Sequence, residues 1–301
     1  MPAPARTPQD NTLRSAVAGS DISTVTFGVD PFSLGTLTYS TVVHEADSPS
    51  ATKYRVRPFF LASQHTSLPT DITIATQLTV DRLDRLVQMT QVWTGPISAA
   101  IYITNVNKDV KTILTRWHTD PTFRVVDIHL VFAVANSPYP INVLRNIGVQ
   151  RSRTARVLLL DADFIPSQRA HDSMVYWLDK EDANAQKAGD EGANAKRRAY
   201  SIASFELKAG PIGGASSTLP KNKAELLKLW DAKEAGPVHE AIYYQAHKAT
   251  NYPAWRTAST PYTIKYDVFF EPYLLITQPF PMYDELFSGY GNDKASHSYE
   301  L

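Results

Sequence analysis

A short apolar run that ends in two carboxylates constrains this sequence more than any other feature. Val157 to Leu160 are all apolar and follow Arg156, and Asp161 and Asp163 come directly after them. A continuous apolar run of this length is typical of a strand buried on both faces of a parallel sheet. Ligands of open α/β sheets bind beyond the carboxyl ends of such strands. The pattern therefore predicts a buried strand that carries two acidic side chains to a binding site.

The spacing of the two carboxylates allows two interpretations. Carboxylates this close repel each other unless a positive charge lies between them. A hard divalent cation such as Mg²⁺ or Mn²⁺ fits this need, because it binds one or two carboxylates and completes its shell with water and phosphate oxygens. Asp-x-Asp after a strand is also a common turn, in which the side chains bond to the backbone. The tripeptide Asp161 to Asp163 alone leaves both interpretations open.

The residues before this run alternate between strand-like and helix-like patterns. Strands are predicted at 71–78, 97–103 and 123–133, ahead of the run at 156–160, and apolar stripes with helical spacing lie between them. This alternation is typical of a parallel sheet covered by helices. No Gly-x-Gly-x-x-Gly follows the first strand, and no phosphate-binding Gly-x-x-x-x-Gly-Lys-Ser/Thr is found. A nucleotide would therefore need another handle for its phosphates, which a metal on the two aspartates could supply.

The composition limits the class of protein. The chain has 301 residues, of which 43% are hydrophobic and 20% are charged, so it can bury a sizeable core. Lys plus Arg and Asp plus Glu number 30 each, so the formal net charge is zero, and we expect no nucleic-acid partner. Without cysteine there is neither a disulfide nor a thiolate metal site. No segment has the apolar length of a membrane helix, and the first residues lack the apolar region of a signal peptide.

The segment 241–290 is dense in aromatic residues and prolines. Polar side chains are interleaved with them, among which are Asn251, Arg256, Glu271 and Asp284. Sugar faces pack on aromatic rings while sugar hydroxyls need polar partners, so this mixture suits a carbohydrate-binding wall. An ordinary aromatic core with surface turns is the alternative, and composition alone favours it.

Several blocks of the sequence occur in an order that matches a known family. The blocks are Thr76–Leu83, Trp93–Ser98, Tyr139–Asn146, Asp161–Pro166, Phe205–Glu206, Pro220–Leu227, His247–Ala258, Phe270–Tyr273 and Tyr283–Gly291. With them the chain resembles glycosyltransferase family 49, which includes the β-1,4-glucuronyltransferase and the glucuronyltransferase half of the bifunctional enzymes that extend matriglycan on dystroglycan. The ordered set, rather than any single block, makes the resemblance specific.

The resemblance implies an α/β fold of the GT-A type. A Rossmann-like nucleotide-sugar half is expected over residues 70–167 and a mixed-sheet acceptor half over 168–301, after a weakly structured N-terminal tail or stem at 1–69. The implied activity is metal-dependent, inverting transfer of a sugar from a UDP-sugar to a glycan or glycoprotein acceptor. The sugar that the resemblance implies is glucuronic acid.

The resemblance also assigns roles to side chains. Asp161 and Asp163 are expected to hold Mn²⁺ or Mg²⁺, which neutralises the departing diphosphate. Contacts to the nucleotide are expected from Gln77, Asp81, Arg82, Asn142, Arg145, Asp161 and Ala162. Asn142 could instead pair locally and Arg145 could lie on the surface. The donor or acceptor wall is expected at Trp255 and Arg256. Inversion needs a carboxylate that takes the acceptor proton, and the alternatives are Asp293, Glu271 and Asp284.

Two departures from the family affect these expectations. Members continue past Leu301 with a strand and a histidine that completes the metal shell, and His297 does not match that histidine, so we expect a C-terminally truncated domain. Members are usually anchored in the Golgi by an N-terminal helix. The resemblance thus predicts the Golgi, while the absence of a signal or anchor favours the cytoplasm. The alternatives are an inactive relative acting as a carbohydrate-binding or scaffold protein and, ranked last, a phosphatase that uses Asp-x-Asp as nucleophile and acid.

Overall fold

The computed structural model is a chain of alternating strands and helices. It describes residues 22–26, 36–42, 54–187, 199–207, 219–287, 289 and 291–301. The strands are β1 (Ile22–Thr26), β2 (Thr36–Val42), β3 (Tyr54–Leu61), β4 (Ile72–Thr79), β5 (Ile97–Ile103), β6 (Val126–Phe132), β7 (Arg156–Leu159), β8 (Ala199–Ile202), β9 (Phe205–Leu207), β10 (Ala235–Pro237) and β11 (Tyr273–Thr277). The helices are α1 (Leu83–Thr90), α2 (Val106–Thr119), α3 (Ile141–Gln150), α4 (Ala170–Lys187), α5 (Lys223–Asp231), α6 (Tyr252–Thr257) and α7 (Asp293–Glu300). Short 3₁₀ turns lie at Val80–Arg82, Pro121–Val125, Tyr244–Ala246 and Lys248–Thr250.

A mixed sheet of nine strands forms the centre of the molecule. Its strand order is β1-β2-β3-β6-β5-β4-β7-β11-β8. The central strands β6, β5, β4 and β7 are parallel, whereas β3 and β11 pair antiparallel with the strands on either side. Strands β9 and β10 form a separate antiparallel pair. The predicted parallel, helix-covered sheet is confirmed at the centre, and the antiparallel strands beside it make the fold mixed α/β.

Both faces of the sheet are covered, which is why its central strands are apolar throughout. All residues of β5 and β6 are buried. Helices α1, α2 and α4 pack on one face through Leu86, Ile113 and Leu178. Helix α3 packs on the other face through Leu144 and Ile147. Among the described residues, no helix combines the length and the apolar character needed to cross a membrane.

The sheet begins before the predicted domain. Strand β3 pairs with β6 and has a bulge between Arg57 and Leu61. At this bulge Phe59 has φ of 48°, and its N–H donates to Nδ1 of His129 at 2.9 Å. A weakly structured stem was expected over residues 1–69, but β3 belongs to the main sheet, where it pairs with β6 and buries Tyr54 and Val56. Much of the rest of that stretch lies outside the described residues.

Helix α3 approaches the sheet closely at Gly148. A Cβ atom there would lie 3.3 Å from the carbonyl oxygen of Thr76 and 3.5 Å from that of Ser98. The Ser98 hydroxyl donates to the Gly148 carbonyl at 2.7 Å and lies 3.1 Å from Nε2 of His129. These contacts fix the helix against β4 and β5. Arg145 precedes Gly148 by three residues, and side chains with this spacing share one helix face.

The C-terminal segment is less regular than the centre of the sheet. It contributes β11, which runs antiparallel to β7 with Leu274 opposite Leu159. Tyr273, the first residue of β11, therefore lies beside the carboxyl end of β7. Helix α7 begins at Asp293, directly after Asn292 in a left-handed conformation with φ of 57°. Its first turn lies at the same end of the sheet.

Candidate active site

Asp161 lies just beyond the end of β7, where the register of the sheet brings other side chains beside it. The parallel strand β4 has Ala75 opposite Leu159, and the N–H of Leu160 donates to the Ala75 carbonyl at 3.2 Å. Both strands thus end at the same edge of the sheet. Gln77, near the end of β4, reaches Asp161 as a result.

Side chains from four parts of the chain contact the carboxylate of Asp161. Arg145 donates from Nη2 to Oδ1 at 3.1 Å, and Nε2 of Gln77 reaches the same oxygen at 3.5 Å. Lys294 donates from Nζ to Oδ2 at 3.2 Å, and the Tyr273 hydroxyl donates to that oxygen at 3.3 Å. Each carboxylate oxygen therefore accepts a hydrogen bond from a cation.

These contacts determine the charge of the site. Burial alone would raise the pKa of Asp161, but Lys294 and Arg145 hold that pKa well below its usual range. Burial would lower the pKa of Arg145, yet neighbouring Asp161 keeps it above its usual value. Burial and Asp161 raise the pKa of Tyr273, so its hydroxyl remains a hydrogen-bond donor. Asp161 is ionised at any physiological pH.

Arg145 is held on several sides. Its Nη1 donates to Oδ1 of Asn142 at 3.0 Å and to Oδ2 of Asp293, and its guanidinium lies 5.1 Å from the centre of the Tyr283 ring. Only 8% of its side chain is exposed, so the expected alternative of a surface position is wrong. Asn142 is fully buried; it pairs locally with Arg145, and its amide also donates to the carbonyl of Asp284, which is distant in the sequence, at 2.7 Å.

Asp163 faces a different partner from Asp161. Its carboxylate forms an ion pair with Arg82, and 56% of its side chain is exposed. Arg82 also lies 3.6 Å from the carboxylate of Asp81, which is mostly exposed. Ala162 between the two aspartates is buried in the main core cluster. The structure thus places Asp81, Arg82 and Asp163 together at the open rim of the site, while Asp161 lies deeper.

A pocket adjoins the carboxylate of Asp161. Its lining consists of Ala75, Thr76, Gln77, Arg145, Leu159, Leu160, Asp161, Pro272, Tyr273, Tyr283 and Lys294. Of these lining residues, Gln77, Arg145 and Asp161 were predicted as site residues from the sequence, whereas Tyr273 and Lys294 were not. Both lie near residues that were named from the sequence, because Lys294 follows Asp293 and Tyr273 lies two residues after Glu271.

The candidates for the catalytic base differ in their surroundings. Asp293 is buried and paired with Arg145, which removes it from the role of a free base. The Asp284 carboxylate accepts the N–H of Leu286 at 2.9 Å and so closes a local turn. Glu271 is partly exposed, and burial raises its pKa, an effect that Asp293 adds to and Lys294 opposes. Glu271 therefore combines partial exposure with a raised pKa.

Trp255 and Arg256 lie in an aromatic cluster formed by α5, α6 and β9. The Phe205 ring centre lies 4.6 Å from that of Trp255 and 5.5 Å from that of Trp230. Lys223 lies over the Trp255 ring at 4.4 Å, and Arg256 lies over the Trp230 ring at 5.2 Å. The structure therefore places the two predicted wall residues with α5 and α6 rather than among the side chains that contact Asp161.

Asp161 and Asp163, each paired with a cationic side chain of the protein, are the residues at the end of β7 that could hold a hard divalent cation. Carboxylate oxygens are the ligands that Mg²⁺ and Mn²⁺ prefer, and Mg²⁺ is commonly held by one or two carboxylates together with substrate phosphates. Within the described ranges, no group of three or more His, Asp or Glu side chains gathers to hold an ion. His297 packs on the Tyr283 ring at 3.9 Å and bonds to the Pro281 carbonyl at 2.8 Å. The aspartate pair would thus depend on substrate oxygens to complete a metal shell.

Comparison with known proteins identifies the family. The family model described as glycosyl-transferase for dystroglycan matches residues 71–138 and 133–301. The chain belongs to this glycosyltransferase family. It is therefore related to transferase enzymes, and the resemblance inferred from the sequence is confirmed.

Relatives from distant organisms agree with this assignment. The xylosyl- and glucuronyltransferase LARGE2s of Gallus gallus is 32% identical over 255 residues, which cover 83% of this chain and 32% of the relative. The xylosyl- and glucuronyltransferase LARGE1 of Homo sapiens is 30% identical over 262 residues, with coverages of 83% and 31%. The glycosyltransferase-like protein gnt14 of Dictyostelium discoideum is 34% identical over 235 residues, with coverages of 76% and 34%. The chain spans about a third of the length of these relatives.

Proposed function

We propose that this chain is a glycosyltransferase domain of the GT-A type that transfers a sugar from a UDP-sugar to a glycan acceptor with inversion. The observation that carries the proposal is the pocket at the end of β7, where Asp161 lies between Arg145 and Lys294. Glucuronic acid is our choice of donor sugar, because xylosyl- and glucuronyltransferases are among the relatives. The family resemblance further favours a glycoprotein acceptor and a Golgi location.

The side chains of the pocket suit a departing diphosphate. Arg145 and Lys294 would donate hydrogen bonds to phosphate oxygens, and their fixed positive charge would favour the negative charge that develops as the bond to the sugar breaks. Mn²⁺ or Mg²⁺ held by Asp161 and Asp163 would add positive charge at the diphosphate. Arg82, which pairs with Asp163 at the exposed rim, would be a further contact to the nucleotide or its phosphates.

Glu271 is our candidate for the base. As the acceptor oxygen bonds to the sugar carbon, UDP leaves and the acceptor hydroxyl loses its proton to the Glu271 carboxylate. A raised pKa makes a carboxylate a stronger base, and burial raises the pKa of Glu271. It must be ionised before the reaction, which the positive charge of Lys294 favours.

Calorimetry of UDP binding tests this proposal. We expect wild-type protein to bind UDP in the presence of Mn²⁺ and much more weakly with a chelator. Asp161→Asn and Asp163→Asn should each weaken the metal-dependent binding by more than the roughly 10- to 100-fold that loss of an outer partner of a metal ligand costs. Asp267→Asn is the matched control, because Asp267 pairs with Lys248 at the surface.

The same experiment separates the proposal from its alternative. A folded wild-type protein that binds no UDP with any divalent metal would indicate an inactive relative with a scaffold role. If UDP binds, release of UDP from a panel of UDP-sugars identifies the donor. Release only from donors other than UDP-glucuronic acid would correct our choice of sugar and keep the rest of the proposal.

A further inference from the structure

The two cations at Asp161 are held in different ways. Arg145 bonds to Asp293, Asn142 and Asp161, and it lies against the Tyr283 ring. In the described part of the chain Lys294 has a single ion pair, to Oδ2 of Asp161. Removing Arg145 from Asp161 would disturb a buried network, whereas Lys294 can leave Asp161 by rotating its own side chain.

The position of Lys294 makes such a movement possible. Its ammonium lies 4.5 Å from the centre of the Tyr273 ring and 3.3 Å from the Tyr273 hydroxyl, and its side chain is 15% exposed. It projects from the first turn of α7 into the lining of the pocket. A lysine has a flexible stem and a compact charge, so it can exchange one anionic partner for another nearby.

We propose that Lys294 is a resident counter-cation of Asp161, which a divalent metal displaces and which then binds the diphosphate of the donor. The inference rests on the proposed function, because it assigns a role to a further residue of that site. The Asp161 carboxylate cannot keep the ammonium on Oδ2 and also offer that oxygen to a metal without crowding two cations. Displacement leaves Lys294 beside the pocket, where phosphate oxygens are the matching partners.

The proposal predicts coupling between the two ligands. Metal that binds without a donor must break the Lys294 pair and leaves a largely buried ammonium without its carboxylate. Metal that binds together with a diphosphate leaves Lys294 with a new anionic partner. Metal and UDP should therefore strengthen each other's binding, and by thermodynamic linkage the factor must be the same in both directions.

Lys294→Met tests this coupling, because methionine removes the charge and keeps an unbranched side chain. We expect the variant to bind Mn²⁺ alone about 5- to 10-fold more tightly than wild type, since no ammonium competes. We expect it to bind UDP in saturating Mn²⁺ about 10-fold more weakly, since a charged donor to phosphate is lost. The Mn²⁺ affinity is measured from the free Mn²⁺ signal in electron paramagnetic resonance. The UDP affinity is measured by calorimetry. A misfolded variant would lose both, so the opposite signs identify the effect.

Side-chain NMR of the ammonium tests the displacement itself. The Lys294 signal is assigned by its loss in Lys294→Met, and Mg²⁺ replaces Mn²⁺ because it is diamagnetic. We expect the signal to shift when Mg²⁺ is added and to shift again when UDP follows. A signal that stays unchanged while the protein binds Mg²⁺ would overturn the proposal.

Two controls and the remaining outcomes complete the test. Lys294→Arg keeps the charge and should keep the coupling, and Lys248→Met removes a surface charge and should change neither affinity. Equal Mn²⁺ affinity in wild type and Lys294→Met, or no Mn²⁺ binding by either, would refute the role of Lys294. Failure of wild type to bind UDP while the Mn²⁺ difference persists would refute the proposed function and leave the counter-cation in place.

Discussion

The centre of the sheet and the C-terminal segment after residue 235 contribute to this molecule in different ways. In the centre, every residue of β5 and β6 is buried, and the neighbouring strands β4, β5 and β6 follow one another along the chain with helices between them. In the C-terminal segment, single side chains such as Tyr273 and Lys294 extend from short elements to Asp161. The centre therefore determines stability, and the C-terminal segment supplies much of the chemistry.

The largest effect expected from this contrast is on activity. Glu271→Gln should lower kcat by roughly 10²- to 10⁴-fold, because the acceptor proton loses its base. The free energy of unfolding should change little, since Glu271 is partly exposed. Transfer rates and urea unfolding measure the two properties. Asp284→Asn is the control. An unchanged rate in Glu271→Gln would show that Glu271 is not the base.

The activity of the wild-type protein should also report on this carboxylate. An ordinary glutamate has a pKa of about 4.3. Because burial raises the pKa of Glu271, its carboxylate becomes protonated at a higher pH than that of an ordinary glutamate. The rate should therefore rise with pH through an apparent pKa above that value. The rise should be absent from the residual activity of Glu271→Gln.

The next effect concerns the stability of the sheet centre at low pH. Burial, helped by Arg151 and Arg153, lowers the pKa of His129 to about 3, and it lowers that of His247 to about 4. A histidine in the unfolded chain has a pKa of about 6.5. The stability that depends on neutral His129 is therefore present above this pH and is lost as the pH falls toward 3. We expect a loss of roughly 3 kcal/mol at pH 4 from His129.

Urea unfolding between pH 4 and 7.5 measures this loss. His129→Gln should be less stable than wild type at pH 7, because the bonds to Phe59 and Ser98 are disturbed. Its stability should depend less on pH over the same range. An equally steep loss in the variant would show that another group causes the acid sensitivity.

A smaller effect is expected at the start of α2. The buried carboxylate of Asp109 accepts the N–H groups of Thr104 and Asn105 at 2.9 and 2.8 Å. Asp109→Ala leaves these donors without their acceptor and should cost about 2 kcal/mol of unfolding free energy. UDP affinity should stay the same, and a matching loss of UDP binding would contradict the division between centre and site. Asn105→Ala, which removes only the cap to Lys108, should cost about 1 kcal/mol.

The smallest effect is expected for an ion pair within the C-terminal segment. Lys248 and Asp267 pair at 2.8 Å on the surface, where water screens the charges. Lys248→Ala should leave the melting temperature and UDP affinity unchanged within error. A clear change in either would mean that the surface of the C-terminal segment is part of the site.

The sequence predicted the centre of the sheet well. The strand at 97–103 has the same bounds in the structure, and Asp161 lies at the end of a buried strand as expected. These features depend on short-range periodicity, and that is visible in a single sequence. The site beyond Asp161 depends on pairing between distant segments, such as β11 with β7. No local pattern specifies that Lys294 meets Asp161, or that Trp255 packs with Phe205 instead.

The close approach of α3 to the sheet at Gly148 has a consequence for substitutions in the core. A methyl group there would press on the Thr76 carbonyl and move the helix outward by a few tenths of an ångström. Arg145, three residues earlier, would move with it, and its 3.1 Å bond to Asp161 would lengthen. The room available in the pocket thus depends on a residue without a side chain, one turn further along the same face of α3.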